Sequence, residues 1–338
     1  MATIPLSVLD LAMVRDNATS AEALIETTKV ATAADQLGYE RFWVAEHHNM
    51  PTVASTSPPV LIAHLASATR RMRVGSGGVM LPNHSPLVVA EQFAMLEALY
   101  PGRIDLGIGR APGTDRSTMA ALRRNSPGTE EEEFPRNVLH VMSMLGDHRP
   151  EHDPPTHLVA TPTPDSSPSV FLLGSSGFSA QLAGILGLPF GFAHHFEMGG
   201  TLQAAEIYHN TFVPSPVLSE PHLIVTASVV VGPSEEKAEW LASPSRLRRA
   251  GLRRGRLLPL LPPDDALGHP EFPGLEQPAG LIGTVDTVVE GMTSLAAATG
   301  AGELMLYPVA YDLADRIGAL EEIASAWRLV HDGSQTST

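Results

Sequence analysis

The sequence contains no cysteine in its 338 residues. This absence excludes disulfide scaffolds, thiolate zinc sites, iron–sulfur clusters and cysteine nucleophiles. Basic residues are also scarce, because 22 lysines and arginines stand against 37 acidic residues, for a formal net charge of −15. Since neutralising the phosphates of a nucleic acid requires clustered cations, this balance argues against a nucleic-acid partner.

Long apolar segments are missing as well. No apolar run is long enough to span a bilayer, so we expect no membrane partner. The N-terminus lacks the basic start and the small-residue cleavage site of a signal peptide. Hydrophobic residues still make up 43% of the chain, and a chain of this length and composition can bury a large core. These features predict a soluble, cytoplasmic protein.

Short apolar runs alternate with helix-length stretches almost from the first residue. The runs are apolar on both faces, as the strands of a parallel sheet are. Eight strands are predicted, at residues 6–11, 42–45, 73–77, 104–108, 170–173, 190–193, 223–231 and 304–307. Eight strand–helix units over this length predict an α/β protein, a single (β/α)8 TIM barrel over residues 1–332, rather than two doubly wound domains.

Two segments interrupt this alternation. Residues 146–168, after the fourth strand, are rich in proline, and residues 243–280, after the seventh, hold six arginines and then many prolines. Both are longer than ordinary connectors, so each is predicted to be a site-covering loop or disordered. The arginine run within residues 246–256 is interpreted first as a solvated helix face. The polar tail, residues 333–338, is expected to fray.

Polar residues follow several predicted strands at the point where each strand ends. The carboxyl ends of the strands carry the site in a parallel barrel, so these groups should converge on one mouth. They are Glu46-His47-His48, Gly77-Gly78, Gly109-Arg110, Gly174-Ser175-Ser176-Gly177 and His194-His195.

The segment Gly174–Gly177 stands between a predicted strand and a predicted helix. Such a turn offers free backbone N–H groups and the positive end of a helix dipole, which suit a phosphate, although a serine-capped turn with no ligand has the same sequence. Arg110 at the same face would complete a phosphate site. The glycines around Gly107 do not form a dinucleotide-binding fingerprint, because the third glycine is misplaced and Pro112 intervenes.

The adjacent histidines invite a metal hypothesis. Neighbouring residues on an extended chain point to opposite sides, and the first strand carries no histidine, so we expect no metal site. A single catalytic residue, His47, with Glu46 tethering backbone or ligand, is the favoured interpretation. The remaining histidines, including His194 and His195, are interpreted as hydrogen-bonded polar residues.

Three motifs in order resemble those of the bacterial luciferase-like flavin monooxygenases. They are Phe42–His48, Arg73–Pro82 and Gly102–Arg110, and the resemblance extends from the first strand to about Phe196. It implies a TIM barrel that binds FMN at the carboxyl ends of its strands, with residues 243–280 as a mobile lid. Gly109 stands where luciferase has a reactive cysteine.

The resemblance also implies roles for individual residues. A non-proline cis peptide at Gly77-Gly78 would lie under the flavin ring, Glu46 would hold that segment, and His47 would be catalytic. The cofactor-binding set would be Glu46, Gly77, Gly78, Gly109, Arg110, Ser175, Ser176 and Gly177, with Arg136 as a further phosphate ligand. The substrate pocket would be lined by Met13, Phe42, His48, Met80 and Leu81.

The activity that the resemblance implies is monooxygenation. Reduced FMN, supplied by a separate flavin reductase, would react with O2 to form a flavin C4a-hydroperoxide, and an oxygen atom would pass to an apolar or aromatic small-molecule substrate. A homodimer is expected, through the helices after the second and third strands. Two alternatives stay open. One is an F420-dependent hydride-transfer enzyme, in which the arginine run of residues 246–256 would supply a basic groove for the polyglutamate tail of the cofactor; the other is a non-catalytic flavin-binding or dimerisation subunit.

Overall fold

The computed structural model describes residues 4–111, 114, 116–122, 130–149, 158–196, 198–275 and 280–327. The strands within them form one sheet, and each predicted strand is found. The strands are β1 Leu6–Asp10, β2 Arg41–Val44, β3 Arg73–Met80, β4 Ile104–Gly109, β5 Ser169–Gly174, β6 Phe190–Phe192, β7 Leu223–Val231, β8 Leu281–Gly283 and β9 Glu303–Pro308.

The sheet closes on itself. β1 pairs with β2 on one side and β9 on the other, and β7 pairs with both β6 and β9, always in parallel. Eight strands therefore form the predicted (β/α)8 barrel, while β8 lies outside it on β7. The sequence analysis missed β8, because three residues are too short to show an apolar pattern.

Helices connect the strands and cover the barrel. They are α1 Ser20–Leu37, α2 Pro58–Ala68, α3 Pro86–Leu99, α4 Arg116–Leu122, α5 Glu130–Met144, α6 Gly177–Leu186, α7 Thr201–Thr211, α8 Glu235–Arg253, α9 Pro263–Gly268, α10 Val285–Thr299 and α11 Leu313–Trp327. Short 3-10 turns occupy Leu81–Asn83 and His194–Phe196. In the described ranges, no helix combines the length and apolarity that crossing a membrane requires.

Alternation along each strand divides the apolar residues into two cores. Phe42 packs in the outer core between the strands and the helices, with residues such as Ile62 and Phe93. The next residue, Trp43, packs inside the barrel with Leu9 and Phe171. The period of two along a strand produces this division, and it decides which side chains can reach a site inside the barrel.

Charged side chains fill the amino end of the barrel. Arg41 donates to Asp105 at 2.8 Å and to Glu303 at 2.7 Å, and both carboxylates are fully buried. Asp105 also accepts from Arg73 Nε at 2.7 Å and from Trp43 Nε1 at 3.0 Å. Burial would raise the pKa of Glu303, but its contacts with His222, Arg41 and Ser7 outweigh it, so that pKa lies below its ordinary value. This network joins β2, β3, β4 and β9.

The two predicted insertions differ from the sequence expectation. In the first, Ser167 and Pro168 lie beside Arg41 and Arg73 at the amino end of the barrel, where they cannot cover a site at the opposite end. The second is helical over much of its length, because α8 continues through Pro244 to Arg253 and α9 follows. Proline at position 244 made the sequence look like a loop from that point. The polar tail, residues 333–338, lies outside the described residues.

Candidate active site

Two adjoining cavities open at the carboxyl ends of the barrel strands. The inner cavity has a volume of about 200 Å³, and the outer one has a volume of about 610 Å³. Leu11, His47, His195 and Phe196 line both. The two histidines therefore stand at the junction, where a ligand in one cavity meets a ligand in the other.

The inner cavity brings together most of the predicted cofactor residues. Its lining includes His47, Gly77, Gly78, Met80, Gly109, Arg110, Ser175 and Ser176. Gly177, the first residue of α6, follows Ser176 in the chain but is not itself part of this lining. Residues from four strand ends thus surround one hollow, as the sequence analysis predicted.

Gly77 and Gly78 lie on one wall of this hollow, joined by a cis peptide bond. The register between β3 and β4 shifts between Gly77 and Val79, so the strand bulges here. A Cβ atom at Gly77 would lie 2.9 Å from Leu9 Cδ1, and one at Gly78 would lie 2.8 Å from the Gly107 carbonyl oxygen. Side chains at these two positions would clash with the neighbouring strands.

Glu46 holds the bulged strand in place. Its buried carboxylate accepts a hydrogen bond from the Met80 backbone N–H at 3.0 Å and contacts Nε2 of His84 and of His48 at 2.8 Å each. Burial would raise the pKa of Glu46, but the contacts with His84, His48 and Met80 outweigh it, so that pKa lies below its ordinary value. Glu46 acts on the cavity through the backbone and lines neither cavity.

Glu46, His48 and His84 also have the composition of a metal site. Their potential ligand atoms all lie within 4.8 Å of one another. Oε1 of Glu46 lies at hydrogen-bond distance from both imidazoles, while its Oε2 accepts from Met80. Hydrogen bonding therefore accounts for each of these contacts. His48, expected to contact substrate, faces Glu46 instead of either cavity.

One end of the inner cavity is suited to a phosphate. The Arg110 guanidinium stacks on the Phe178 ring, 4.4 Å from its centroid. Ser176 is the N-cap of α6, yet its side chain makes no capping hydrogen bond. The Ser176 hydroxyl, the first N–H groups of α6 and the guanidinium are thereby available to a single anion.

The two junction histidines are held in their neutral forms. Burial, and then the positive charge of Arg248, lower the pKa of His47 to about 4. Burial lowers the pKa of His195 to about 3, against the opposing effect of a hydrogen bond with the Thr226 backbone. Nδ1 of each ring is buried and has no hydrogen-bond partner among the residues that the structure describes. These nitrogens are free to bind a ligand.

The outer cavity combines apolar walls with arginines. Its apolar lining includes Met13, Met50, Leu252, Leu260 and Val309. In the described part of the chain, Asp10 is the one acidic residue of this lining, against five arginines: Arg15, Arg248, Arg249, Arg253 and Arg316. Three of the five come from α8, in the segment interpreted from sequence as a solvated face. The structure overturns that interpretation, because α8 turns this face toward the cavity.

Three residues predicted near the site lie elsewhere. Phe42 and Leu81 are fully buried in the outer core and line neither cavity. Arg136, on α5, is also absent from both linings. Phe42 was expected to face the inside of the barrel, but side chains alternate along a strand, and its neighbour Trp43 is the one that points inward and lines the inner cavity.

Comparison with known proteins identifies the family. The model described as luciferase-like monooxygenase matches residues 4–303. A protein of that name from Escherichia coli (strain K12) is 42% identical over 325 residues, covering 94% of this chain and 96% of that protein. This chain belongs to the luciferase-like monooxygenase family.

Other luciferase-like monooxygenase relatives extend the comparison. The structure of apo-MsnO8 is 36% identical, with a TM-score of 0.88, and the match covers 97% of this chain and 99% of that one. The N-acetyl-S-alkylcysteine monooxygenase of Bacillus subtilis (strain 168) is 35% identical over 299 residues, or 86% of this chain and 89% of that protein. Family membership makes this protein an enzyme of the oxidoreductase class.

More distant structures share the fold. The oxygenating constituent of 3,6-diketocamphane monooxygenase from Pseudomonas putida, in complex with FMN, has a TM-score of 0.70 at 20% identity, over 95% of this chain and 96% of that one. An F420-dependent secondary alcohol dehydrogenase has a TM-score of 0.68 at 16% identity, and the match covers 98% of this chain and 100% of that one. At these identities the comparison shows a shared fold, which one of the two proteins uses with FMN and the other with F420.

Trp43 had no place in the predicted site, His195 was expected at the mouth without a functional role, and Arg248 had a role only in the F420 alternative. Trp43 and His195 line the inner cavity, and Arg248 lines the outer one. Strict alternation in β2 would have revealed Trp43. His195 sits beside His194, whose Nδ1 contacts the Thr201 hydroxyl at 2.8 Å, and the sequence alone does not tell the two apart.

Proposed function

We propose that this protein is a flavin-dependent monooxygenase that uses reduced FMN and O2 to oxygenate a small organic molecule. One observation carries the proposal: His47, Gly77-Gly78, Arg110 and Ser175-Ser176 line a single cavity. That cavity adjoins a second one of about 610 Å³, within the range of about 300–1,000 Å³ typical of small-molecule sites. The inner cavity suits the flavin and the outer one suits the substrate.

The inner cavity has one part suited to the flat ring of FMN and another suited to its phosphate. Gly77, Gly78 and Gly109 keep its wall free of side chains, as close approach of a flat ring requires. Arg110, Ser175 and Ser176 would hold the phosphate. When bound in reduced form, FMN supplies the two electrons with which O2 is activated, one oxygen atom passing to the substrate and the other to water.

His47 is proposed as the catalytic residue. With a pKa of about 4 it is neutral near pH 7, so it takes up or shares a proton at Nδ1 or Nε2 rather than donating one from an imidazolium. Because it lines both cavities, it stands where the oxygen atom is transferred. The buried Leu11 lines the same two cavities and would help to exclude the water that diverts reduced flavin and O2 to hydrogen peroxide.

The proposed enzyme receives its reduced FMN from a separate flavin reductase. The apolar part of the outer cavity suits the apolar or aromatic body of a substrate. We also propose a homodimer that packs through α2 and α3. Val60 on α2 is 70% exposed, and Leu99 on α3 is 61% exposed; apolar side chains that form one contiguous exposed patch mark a protein–protein contact surface. Analytical ultracentrifugation should show a dimer that Leu99→Glu weakens.

Titration of purified protein with cofactors tests the proposal. The fluorescence of FMN should be quenched when FMN binds. Riboflavin, which lacks the phosphate, should bind at least tenfold more weakly than FMN. Arg110→Ala should remove this difference in affinity. Arg254→Ala, in an exposed ion pair with Glu271, serves as the control. Binding of F420 in place of FMN would instead support the hydride-transfer alternative, and no binding of either would support a non-catalytic subunit.

A further inference from the structure

The outer cavity is cationic in an acidic protein. Among the residues that the structure describes, five arginines and one aspartate line it, although the chain has a formal net charge of −15. Burying several positive charges around a cavity is unfavourable unless anions compensate them. An arginine that already contacts an acidic side chain of the protein needs no further anion.

Four of the five have partners: Arg249 and Arg253 have contacts of their own, and acidic side chains compensate Arg316 and Arg15. Arg316 donates to Asp10, and Arg15 donates to Glu26 and stacks 5.1 Å from the Tyr311 ring centroid. These two arginines are therefore part of the cavity wall.

Arg248 differs from them. It forms no ion pair with any residue that the structure describes, and its Nε is buried without a hydrogen-bond partner. Burial lowers the pKa of its guanidinium, Tyr307 opposes that effect, and the neighbouring Arg249 adds to it. A guanidinium left in this state lacks an anion.

The position of Arg248 indicates where that anion belongs. Arg248 and Arg249 line the outer cavity alone, whereas Arg110, Ser175 and Ser176 line the inner cavity alone. The cofactor phosphate thus has its own site, and the junction histidines separate it from Arg248. Arg248 is nevertheless close enough to His47 for its charge to act on that imidazole. A molecule held by Arg248 would extend toward the proposed reaction centre.

We propose that Arg248 binds a carboxylate of the substrate, so that the substrates are small organic acids with an apolar body. The apolar body would pack against Met13, Met50 and Leu252, which line the same cavity. This inference rests on the proposed function, because it assigns the outer cavity to the substrate.

A matched series of ligands tests this inference. Phenylacetate, 4-phenylbutanoate and 6-phenylhexanoate are each compared with the corresponding neutral amide by isothermal titration calorimetry, with and without FMN. At least one acid should bind about tenfold or more tightly than its amide, since a hydrogen bond to a charged group supplies that preference. Arg248→Gln should abolish the preference, Arg248→Lys should retain part of it, and Arg254→Gln should leave it unchanged.

Other outcomes overturn the inference. It fails if no acid is preferred over its amide, or if Arg248→Gln keeps the preference while thermal unfolding shows that the variant is folded. It also fails if Arg248→Gln weakens FMN or F420 instead, because the arginine then serves a cofactor. Failure of FMN to bind the unmodified protein would count against the proposed function, and the acid preference is measured separately on the flavin-free protein.

Discussion

The Glu46 carboxylate accepts a hydrogen bond from the Met80 backbone N–H at 3.0 Å, linking the chain just after β2 to the end of β3. Met80 follows Gly77 and Gly78 by two residues and lines the inner cavity with them. The same carboxylate contacts His48 and His84. One buried acid thereby fixes the backbone wall against which the flavin would lie.

Replacement of Glu46 should loosen this wall. Glu46→Ala leaves the Met80 N–H and both imidazoles without their acceptor, so we expect the free energy of unfolding to fall by about 1–3 kcal/mol. Affinity for FMN should fall with it. Urea unfolding and flavin titration measure the two effects. Glu271→Ala, which breaks an exposed ion pair, is the control, and equal behaviour of the two variants would contradict the role of Glu46.

Replacement of His47 should separate binding from turnover. His47→Ala removes a side chain at the junction of the cavities and leaves Arg110 and the serine turn intact. FMN affinity should change less than about threefold, while product formed per reduced FMN consumed should fall about 100-fold or more, the usual contribution of acid–base catalysis. Hydrogen peroxide should rise in proportion. Unchanged coupling of FMN oxidation to product would remove His47 from the mechanism.

Stability should fall as the pH drops from 6.5 to 4.5. His47 and His195 have pKa values of about 4 and about 3 in the fold, below the ordinary 6.5. The unfolded chain therefore takes up protons in this range before the folded chain does. We expect each histidine to lower the free energy of unfolding by roughly 1–2 kcal/mol at pH 4.5. This is less than the full pKa shifts imply, because both rings are partly exposed to solvent.

Urea unfolding at several pH values measures this dependence. His47→Gln and His195→Gln should each flatten the curve, whereas the exposed His148→Gln should not. The measurement stops at pH 4.5 because two carboxylates affect stability at lower pH. Glu46 and Glu303 have depressed pKa values, so the unfolded chain takes up protons at these groups before the folded chain does, and their stabilising contribution is lost. A wild-type curve that is level from pH 6.5 to 4.5 would show that the two histidines are not held neutral.

The amino end of the barrel should be sensitive to loss of its central cation. Arg41→Met leaves the buried carboxylates of Asp105 and Glu303 without the cation between them. We expect a loss of about 3–5 kcal/mol in unfolding free energy. Arg254→Met, in an exposed pair with Glu271, should cost less than about 1 kcal/mol. Similar losses for the two variants would mean that the buried network contributes little.

Chelation should have no effect on cofactor binding. Glu46, His48 and His84 resemble a metal site, but hydrogen bonds account for their contacts. Dialysis against EDTA should therefore leave both FMN affinity and thermal stability unchanged. Stoichiometric zinc or iron in the purified protein, lost on dialysis together with stability, would establish a metal site instead.

Much of the barrel could be predicted because its signals are local. Apolar runs such as residues 223–231 identify strands wherever they stand, and Gly38, in the left-handed conformation with φ of 87°, ends α1 as expected. The helical spacing of residues 20–37 predicts a helix with Ser20 as its N-cap and Gly38 just past its end, but the N-cap in the structure is Thr19, one residue earlier. Thr19 accepts from the Glu22 N–H, and Glu22 accepts from the Thr19 N–H, so a capping box competes successfully with Ser20.

In the candidate site, too, the residues that could be predicted are those that belong to local motifs. Short motifs at strand ends, such as Glu46-His47 and Gly109-Arg110, could be assigned to one mouth because a parallel barrel places all carboxyl strand ends together. Which face of a strand points inward, and which of two adjacent histidines reaches the cavity, depends on packing. For that reason Trp43 had no place in the predicted site and His195 had no functional role there.

By itself the sequence determined the eight-stranded barrel and the ring of glycines, serines and His47 at its mouth, since both follow from patterns confined to a few neighbouring residues. The tertiary structure alone decided that α8 turns Arg248 toward a cavity that His47 also lines. These residues are about two hundred positions apart, and no local preference of either segment encodes their meeting. Closure of the barrel and packing of α8 over its mouth bring them together.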